Sequence, residues 1–194
     1  MIQHQKIILQ TPGMALFDPA TLARFVSDHG IEATDLLQHF IDFPELGDAA
    51  IAQGCVLPVY SIPMWDYELV FNEAGGIATA PPLVDAVLPA LLPLAITSGT
   101  LIVTDLFGLM DFDLEYYQHF PPAQERTGVD AAVQLAPGSY AVQVVKFIDR
   151  LDADIEHRRC GYEFLLNKVS VLPAVAGFDI DHISYTIAGL TSSP

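Results

Sequence analysis

The sequence predicts an α+β protein with an antiparallel β-sandwich core and two N-terminal helices packed beside it. Three observations support this fold class. Segments after residue 54 are rich in Val, Tyr, Trp and Phe, which favour strands. Tight turns join successive strand-like runs, and such runs usually pair antiparallel. The main helical patterns lie before residue 50 and do not alternate with strands, which disfavours a doubly wound sheet.

The first fifty residues predict two strands followed by two helices. QKIILQT and GMALFD are strand-like, with a turn at Pro12–Gly13 between them. ATLARFVSDHG has one apolar helical face and a stop at Gly30. IEATDLLQHFIDF repeats this pattern, with Thr34 or Asp35 as its N-cap and Pro44 as its end.

The remaining sequence predicts strands and one short helix. CVLPVYSIPMWDYELVFN is strand-like, with prolines that mark an edge or a bulge, and PPLVDAVL is a candidate short helix. LAIT and TLIV flank Ser98–Gly99, a two-residue hairpin turn. VQLAPGSYAVQVVKFIDR indicates two strands around Pro137–Gly138. YEFLLNKVSVL and HISYTIAGL are the last strand-like segments.

The length of 194 residues predicts one domain over residues 1–194. Within it, residues 1–50 form a strand–helix–helix portion and residues 55–194 form a mainly β portion. Whether the first portion is a separate lobe stays open at this point.

The net charge is −16, from 24 acids and eight Lys and Arg residues. Residues 1–130 carry 17 of the acids and three of the bases. Such a field repels phosphate backbones and anionic membranes, so we expect neither nucleic acid nor a membrane as partner. It attracts a basic protein, or it serves solubility alone.

The cysteines and the N-terminus predict a cytoplasmic protein. Cys55 and Cys160 have no metal-binding spacing, which favours two buried thiols over one disulfide. MIQHQKIILQTPG lacks the basic start and apolar run of a signal peptide. The most apolar stretch, PPLVDAVLPALLPLAIT, is too short and too often interrupted to cross a bilayer.

One segment combines acids with aromatic rings near the polar region 111–130, which we expect to be a long loop. Rings supply buried area at an interface, and carboxylates steer and bind a basic partner. We therefore predict a partner-binding surface, while a merely solvated rim remains the alternative. Its residues are Asp105, Asp111, Asp113, Glu115, Tyr116, Tyr117 and Phe120.

The same region suggests a rival, a metal-binding or small-ligand-binding protein such as a hydrolase, that uses Asp105, Asp111, Asp113 and His119. Asp111, Asp113 and Glu115 alternate, so they would share one side of a continued strand and offer oxygen ligands to a hard cation. The glycine and spacing of an EF-hand are missing. We predict neither a metal nor another cofactor.

No catalytic motif stands out in the sequence. There is no HExxH, GxSxG, GxGxxG or P-loop pattern. DIDHI places Asp179 and Asp181 beside His182, an arrangement that also occurs on surface loops. Ser139 follows a turn glycine and fits a hairpin. We therefore predict no catalytic residue and no enzymatic activity.

Two groups of motifs resemble the competence protein J family of bacterial nuclease inhibitors and related bacterial β-sandwich families. TPGMALFDPATL is similar to the family's early strand motif. LPLAITSGTLIVTD and VQLAPGSYAVQVV are similar to its later layout of a glycine turn and a Pro–Gly turn before a Tyr-containing strand. The resemblance implies a β-sandwich protein that blocks a nuclease or toxin by protein–protein contact. It assigns no functional residue.

The sequence thus predicts a non-catalytic bacterial interaction protein, an inhibitor or immunity protein for a basic partner such as a nuclease toxin. The metal-binding or ligand-binding protein is the rival. A third alternative is an oligomer-forming structural protein, because the surplus of aliphatic residues suits a buried interface.

Overall fold

The computed structural model describes residues 1–121, 128–152, 158–174 and 182–190. Its strands are β1 Ile2–Ile8, β2 Gly13–Phe17, β3 Leu57–Tyr60, β4 Asp66–Asn72, β5 Val84–Val87, β6 Leu92–Ile96, β7 Thr100–Asp105, β8 Asp130–Gln134, β9 Gly138–Ile148 and β10 Cys160–Val169. Its α-helices are α1 Pro19–Asp28, α2 Leu36–Asp42, α3 Pro44–Ala52, α4 Phe107–Met110 and α5 Leu114–Gln118, and a 3₁₀ turn covers Pro81–Leu83.

The strands form two sheets with an apolar core between them. Sheet A has the order β1-β4-β10-β9, and β5 and β6 share the far side of β9, each along one half of that strand. Sheet B has the order β3-β2-β7-β8. Both sheets contribute to the core, for example through Leu16 and Val103 of sheet B and Phe71 and Phe164 of sheet A. The predicted β-sandwich is therefore present.

Sheet A is mixed, so the prediction of a purely antiparallel core is wrong. β10 pairs with β4 in parallel and with β9 antiparallel. Parallel neighbours need a long crossover connection, and the chain between β4 and β10 supplies one. Sequence patterns of single strands carry no information about so distant a partner.

The tight turns join strands of different sheets, so the predicted hairpins are also wrong. Ser98–Gly99 connects β6 of sheet A to β7 of sheet B, and Pro137–Gly138 lies between β8 of sheet B and β9 of sheet A. Pro12–Gly13 likewise lies between β1 and β2, which belong to different sheets. A short turn serves a hairpin and a crossing between packed sheets equally well, because both reverse the chain over a short distance.

The helices cover the outer face of sheet B and form a second core there. Phe17 and Ile102 of the sheet pack with Leu22 of α1, Leu36 of α2 and Tyr117 of α5. The prediction of two N-terminal helices is incomplete, because α4 and α5 follow β7 and join the same layer. We call residues 18–54 and 105–121, which contain these five helices, the helical layer.

Several local predictions were tested by the structure. Asp35 caps α2 by accepting a hydrogen bond from Gln38 N at 2.8 Å, as predicted. Pro44 ends α2 but also begins α3, because proline suits the first turn of a helix. PPLVDAVL begins with a 3₁₀ turn at Pro81–Leu83 and continues as strand β5, so the predicted short helix is limited to that turn. Residues 182–190 contain no strand.

Both cysteines are free and buried, as predicted. Burial raises the pKa of the Cys55 thiol to about 11 and that of Cys160 to about 12. Both thiols are therefore protonated and unreactive at neutral pH. In the part of the chain that the structure describes, no helix is long and apolar enough to span a membrane.

Candidate functional site

Acidic charge is concentrated on the helical layer. The helical layer carries 11 of the 24 acids and one of the eight bases, Arg24. Sheet A and its flanking residues carry both signs, with six bases (Lys6, Lys146, Arg150, Arg158, Arg159 and Lys168) and six acids (Asp66, Glu68, Glu73, Asp85, Asp149 and Glu163). The helical layer is therefore the strongly negative face of the described molecule.

Two acidic segments of the helical layer lie side by side. The backbone N–H of Phe112 donates to the carbonyl oxygen of Thr34 at 2.9 Å, which brings residues 111–113 against residues 32–35. Five carboxylates belong to these two segments and to the first turn of the helix that follows. We call this group the acidic patch: Glu32, Asp35, Asp111, Asp113 and Glu115.

The predicted site residues Asp111, Asp113 and Glu115 are exposed, but they do not share a strand face. The chain turns into α4 and α5 here. Asp113 caps α5 by accepting a hydrogen bond from Tyr116 N at 3.1 Å, and Glu115 lies in the first turn of that helix. Carboxylates at a helix N-terminus are favourable because of the helix dipole. The expected long loop over residues 111–130 is wrong for residues 114–118, which form α5, and residues 122–127 of that loop lie outside the described residues.

Asp105 is 1% exposed and is bound inside the protein. Its carboxylate accepts hydrogen bonds from the N–H of Gln10 at 2.6 Å and of Phe107 at 2.8 Å, and from the N–H and hydroxyl of Thr11 at 2.9 and 2.6 Å. This carboxylate connects the β1–β2 turn to the start of α4. Both carboxylate oxygens of Asp105 already accept hydrogen bonds from neighbours. Asp105 therefore contributes to the site by holding the β1–β2 turn and α4 in place.

The predicted aromatic residues form a cluster that attaches α5 to sheet B. Tyr117 is 2% exposed and packs edge-on against Phe17, with ring centroids 5.1 Å apart. Tyr116 and Phe120 are half-buried, and their ring centroids lie 5.8 Å apart. Of the three predicted aromatic anchors, Tyr116 and Phe120 retain surface that a partner can reach.

A cleft of about 350 Å³ opens at the edge of the helical layer. It lies between the β1–β2 turn, α4 and the start of β8. The structure therefore brings Asp105, Asp111 and Tyr117 to one cleft, while Asp113, Glu115, Tyr116 and Phe120 lie outside its lining. The lining residues are Gln10, Thr104, Asp105, Phe107, Gly108, Asp111, Tyr117, Val129 and Asp130.

Asp130 is a cleft residue that the sequence did not single out. Its carboxylate accepts a hydrogen bond from the Tyr116 hydroxyl at 2.8 Å, and the Tyr117 hydroxyl lies 3.5 Å from its other oxygen. Tyr117 also contacts the hydroxyl of Thr104 at 3.2 Å. Asp130 is the first residue of β8, at the end of the polar region, and no residue pattern links it to Asp111. Asp130 and Asp111 come to the same cleft because α5 packs against β8.

The region proposed for the metal or ligand alternative is not assembled as a metal site. Among the residues that the structure describes, no group of three or more His, Cys, Asp or Glu side chains is placed to hold a metal ion. His119 lies outside the cleft, with Nδ1 2.8 Å from the carbonyl oxygen of Glu115. Of the DIDHI motif, Asp179 and Asp181 lie outside the described residues.

Two solved structures are similar to the chain over most of its length. No family model matches the chain, and no curated protein is similar enough to count as a match. "Crocagin biosynthetic gene J" aligns with a TM-score of 0.45 and 12% identity, over 85% of this chain and 97% of that chain. ComJ from Bacillus subtilis, described as an inhibitor of the DNA degrading activity of NucA, aligns with a TM-score of 0.42 and 11% identity, over 87% of this chain and 99% of that chain.

One of these two structures, ComJ, is of the kind that the sequence motifs resemble, and the resemblance is weak. Identities this low transfer neither activity nor site residues. The functional proposal below therefore depends on the surface of this molecule.

Proposed function

We propose that this protein is a non-catalytic binding protein whose helical layer docks onto a basic protein partner, in the manner of an inhibitor or immunity protein. The observation that carries the proposal is the charge distribution: 11 acids and one base on the helical layer, against six acids and six bases in or beside sheet A. A one-sided field orients a basic partner during approach and raises the association rate.

A nucleic-acid-cleaving enzyme is the class of partner that this surface suits. Such an enzyme needs a basic face, because it must neutralise the phosphates of its substrate. A rigid acidic surface competes with the substrate for that face. The acidic patch offers five carboxylates for this purpose, and four of them, those of Glu32, Asp111, Asp113 and Glu115, are exposed.

Matched charge reversals test the proposal. The test variant combines Asp111→Lys with Glu115→Lys on the helical layer, and the control combines Asp66→Lys with Glu73→Lys on the chain of sheet A. Both change the net charge equally. Against a panel of basic nucleases, we expect wild-type protein to inhibit at least one. For that partner, the test variant should associate about 10-fold more slowly at low salt, and this difference should shrink in high salt.

Two results would contradict the proposal. Equal slowing by both variants would show that net charge acts without a defined docking face. Absence of both binding and inhibition across the panel at low salt would remove the nuclease-type partner. Stopped-flow association and a nuclease inhibition assay measure the two quantities separately.

The cleft favours a second candidate function, the binding of a metal ion or small ligand near Asp111. A ligand that binds the folded state tightly must raise the melting temperature. Titration with Ca²⁺, Mg²⁺, Mn²⁺ and Zn²⁺ should give a concentration-dependent rise if this function is correct. A flat response to all four ions argues for the docking function.

A further inference from the structure

We propose that the cleft is the anchor site for an arginine side chain of the protein partner. This inference rests on the proposed docking function and identifies the chemistry of its central contact. Three features point to this side chain: the size of the cleft, the carboxylates that line it and the exposed Phe107.

The cleft has the size and shape for one long side chain. Its volume of about 350 Å³ lies at the lower end of small-ligand sites. Gly108 shapes its wall: an added Cβ would lie 2.2 Å from both the Thr104 and the Tyr117 hydroxyl oxygens. Only glycine allows α4 to pack this closely against the two hydroxyls, which belong to residues that also line the cleft.

The walls favour a cation with several donors. Asp111 is exposed at the cleft, and none of the ion pairs formed among the described residues includes Asp111 or Asp130. Tyr116 and Tyr117 contact the two oxygens of Asp130 and hold that carboxylate in place. Each carboxylate oxygen has room for a further donor. A guanidinium group supplies paired N–H donors in a geometry that carboxylates accept.

Phe107 favours arginine over lysine as the side chain bound in the cleft. Phe107 is one of the residues that line the cleft, and it is 57% exposed, although its residue type is usually buried. A planar guanidinium group stacks on an aromatic face while it binds carboxylates at its edge, whereas an ammonium group is more strongly hydrated. Phe107 and Asp111 are positioned to serve the two parts of one arginine head group.

Fluorescence anisotropy with labelled octa-arginine and octa-lysine peptides tests this assignment on the intact protein. The cleft variants are Asp111→Asn, Asp130→Asn and Phe107→Ala. Asp48→Asn is the control for each lost charge, and Phe43→Ala is the control for the lost ring, since both residues are exposed on the helical layer outside the cleft. Asp130→Asn keeps an acceptor oxygen for Tyr116. Thermal melting verifies that every variant is folded.

We expect each Asp→Asn change in the cleft to weaken octa-arginine binding about 10-fold, because it removes a charge-assisted hydrogen bond. The controls should change the dissociation constant by less than about twofold, as expected for exposed charges. Phe107→Ala should abolish the preference for octa-arginine over octa-lysine. Equal effects of Asp111→Asn, Asp130→Asn and Asp48→Asn would overturn the cleft assignment and leave the docking function standing. Failure of wild-type protein to bind either peptide at low salt would overturn both.

Discussion

Buried carboxylates hold distant loops of this protein together. Asp18 accepts hydrogen bonds from Thr21 N at 2.9 Å and from the N–H of Thr97 at 3.0 Å and Ser98 at 2.7 Å. Asp18 therefore caps α1 and fixes the turn between β6 and β7. Asp105 acts similarly on the β1–β2 turn, and Glu163 acts on residues 78–79. A buried carboxylate is stable when several N–H groups surround it.

We predict that Asp18→Ala lowers the free energy of unfolding by about 3 kcal/mol, because it removes a helix cap and leaves the Thr97 and Ser98 N–H groups without an acceptor. Urea unfolding at pH 7 measures the change. Asp28→Ala is the matched control, because Asp28 is an exposed acid of the same helix. It should change the free energy of unfolding by at most about 0.5 kcal/mol. Equal losses would show that Asp18 does not have this role.

The hydrogen bonds to Glu163 predict that the free energy of unfolding falls in acid. Burial raises the pKa of Glu163, but hydrogen bonds from Thr79, Ala78 and Asn72 outweigh burial and hold the pKa below its ordinary value. Its ionised form therefore stabilises the fold above the unfolded pKa of about 4.3, and this contribution is lost as the pH falls through the lower folded pKa.

We expect Glu163→Gln to be less stable than wild type at pH 7, and the difference should narrow as the pH falls below about 4. Urea unfolding between pH 7 and pH 3 measures it. Glu68→Gln, on the neighbouring strand β4, is the control for the effect of removing one glutamate charge from sheet A. If the Glu163→Gln and wild-type curves remain parallel over this range, the carboxylate does not ionise as the structure requires.

The sequence could not distinguish these acids from the surface acids. Asp18 and Asp28 differ in burial only because α1 packs against sheet B and its N-terminus meets the β6–β7 turn. The sequence did identify Asp111, Asp113 and Glu115 as exposed acids near aromatic rings. It could not place Asp130 beside Asp111, because that approach requires both α5 and β8 to be in position.

At the scale of elements, glutamine side chains of β1 form hydrogen bonds with backbone groups along the edge of β8. Gln3 Nε2 donates to Gln134 O at 2.7 Å, and Gln134 N donates to Gln3 Oε1 at 3.2 Å. Gln5 Nε2 donates to Ala132 O at 2.9 Å. These bonds join the edge strands of the two sheets. An exposed edge of β8 could pair with another chain, so the glutamines also protect against aggregation.

We predict that Gln3→Ala combined with Gln5→Ala lowers the free energy of unfolding by about 2 kcal/mol, because about three hydrogen bonds are lost. The Gln134 amide should exchange with solvent deuterium faster, while amides of β9 should not. His4→Ala combined with Lys6→Ala is the control, because these exposed residues alternate with the glutamines on β1. Equal exchange at Gln134 in both double variants would refute the role of the glutamines.

Local patterns predicted individual elements well and their arrangement poorly. β2, α1 and β10 follow from alternation, helical spacing and flanking Gly or Pro residues. The sheet to which each strand belongs does not follow, because Ser98–Gly99 and Pro137–Gly138 have the chemistry of hairpin turns and yet connect different sheets. The sheet that each strand joins is decided by how the two sheets bury their apolar faces against one another. This packing depends on the whole chain and not on local patterns.

At the scale of the whole molecule, the charge distribution has a cost in stability. Acids on the helical layer repel one another, and the layer carries one base, Arg24, to offset them. A surface under such repulsion gains stability when a basic partner or dissolved salt screens it. The function that we propose and the low-salt stability of the fold therefore oppose each other.

We predict that raising NaCl from about 0.01 to 0.3 M, a range over which the Debye length falls from about 30 Å to below 10 Å, increases the melting temperature of wild-type protein. Asp111→Lys combined with Glu115→Lys should reduce this increase, because it relieves repulsion where acids are concentrated. Asp66→Lys combined with Glu73→Lys should have less effect, because bases such as Lys6 and Arg159 lie in sheet A or beside it. Scanning calorimetry measures all three proteins. If the melting temperatures of both variants rise equally with salt, the repulsion arises from the net charge of the protein. The helical layer would then not be a distinct electrostatic face.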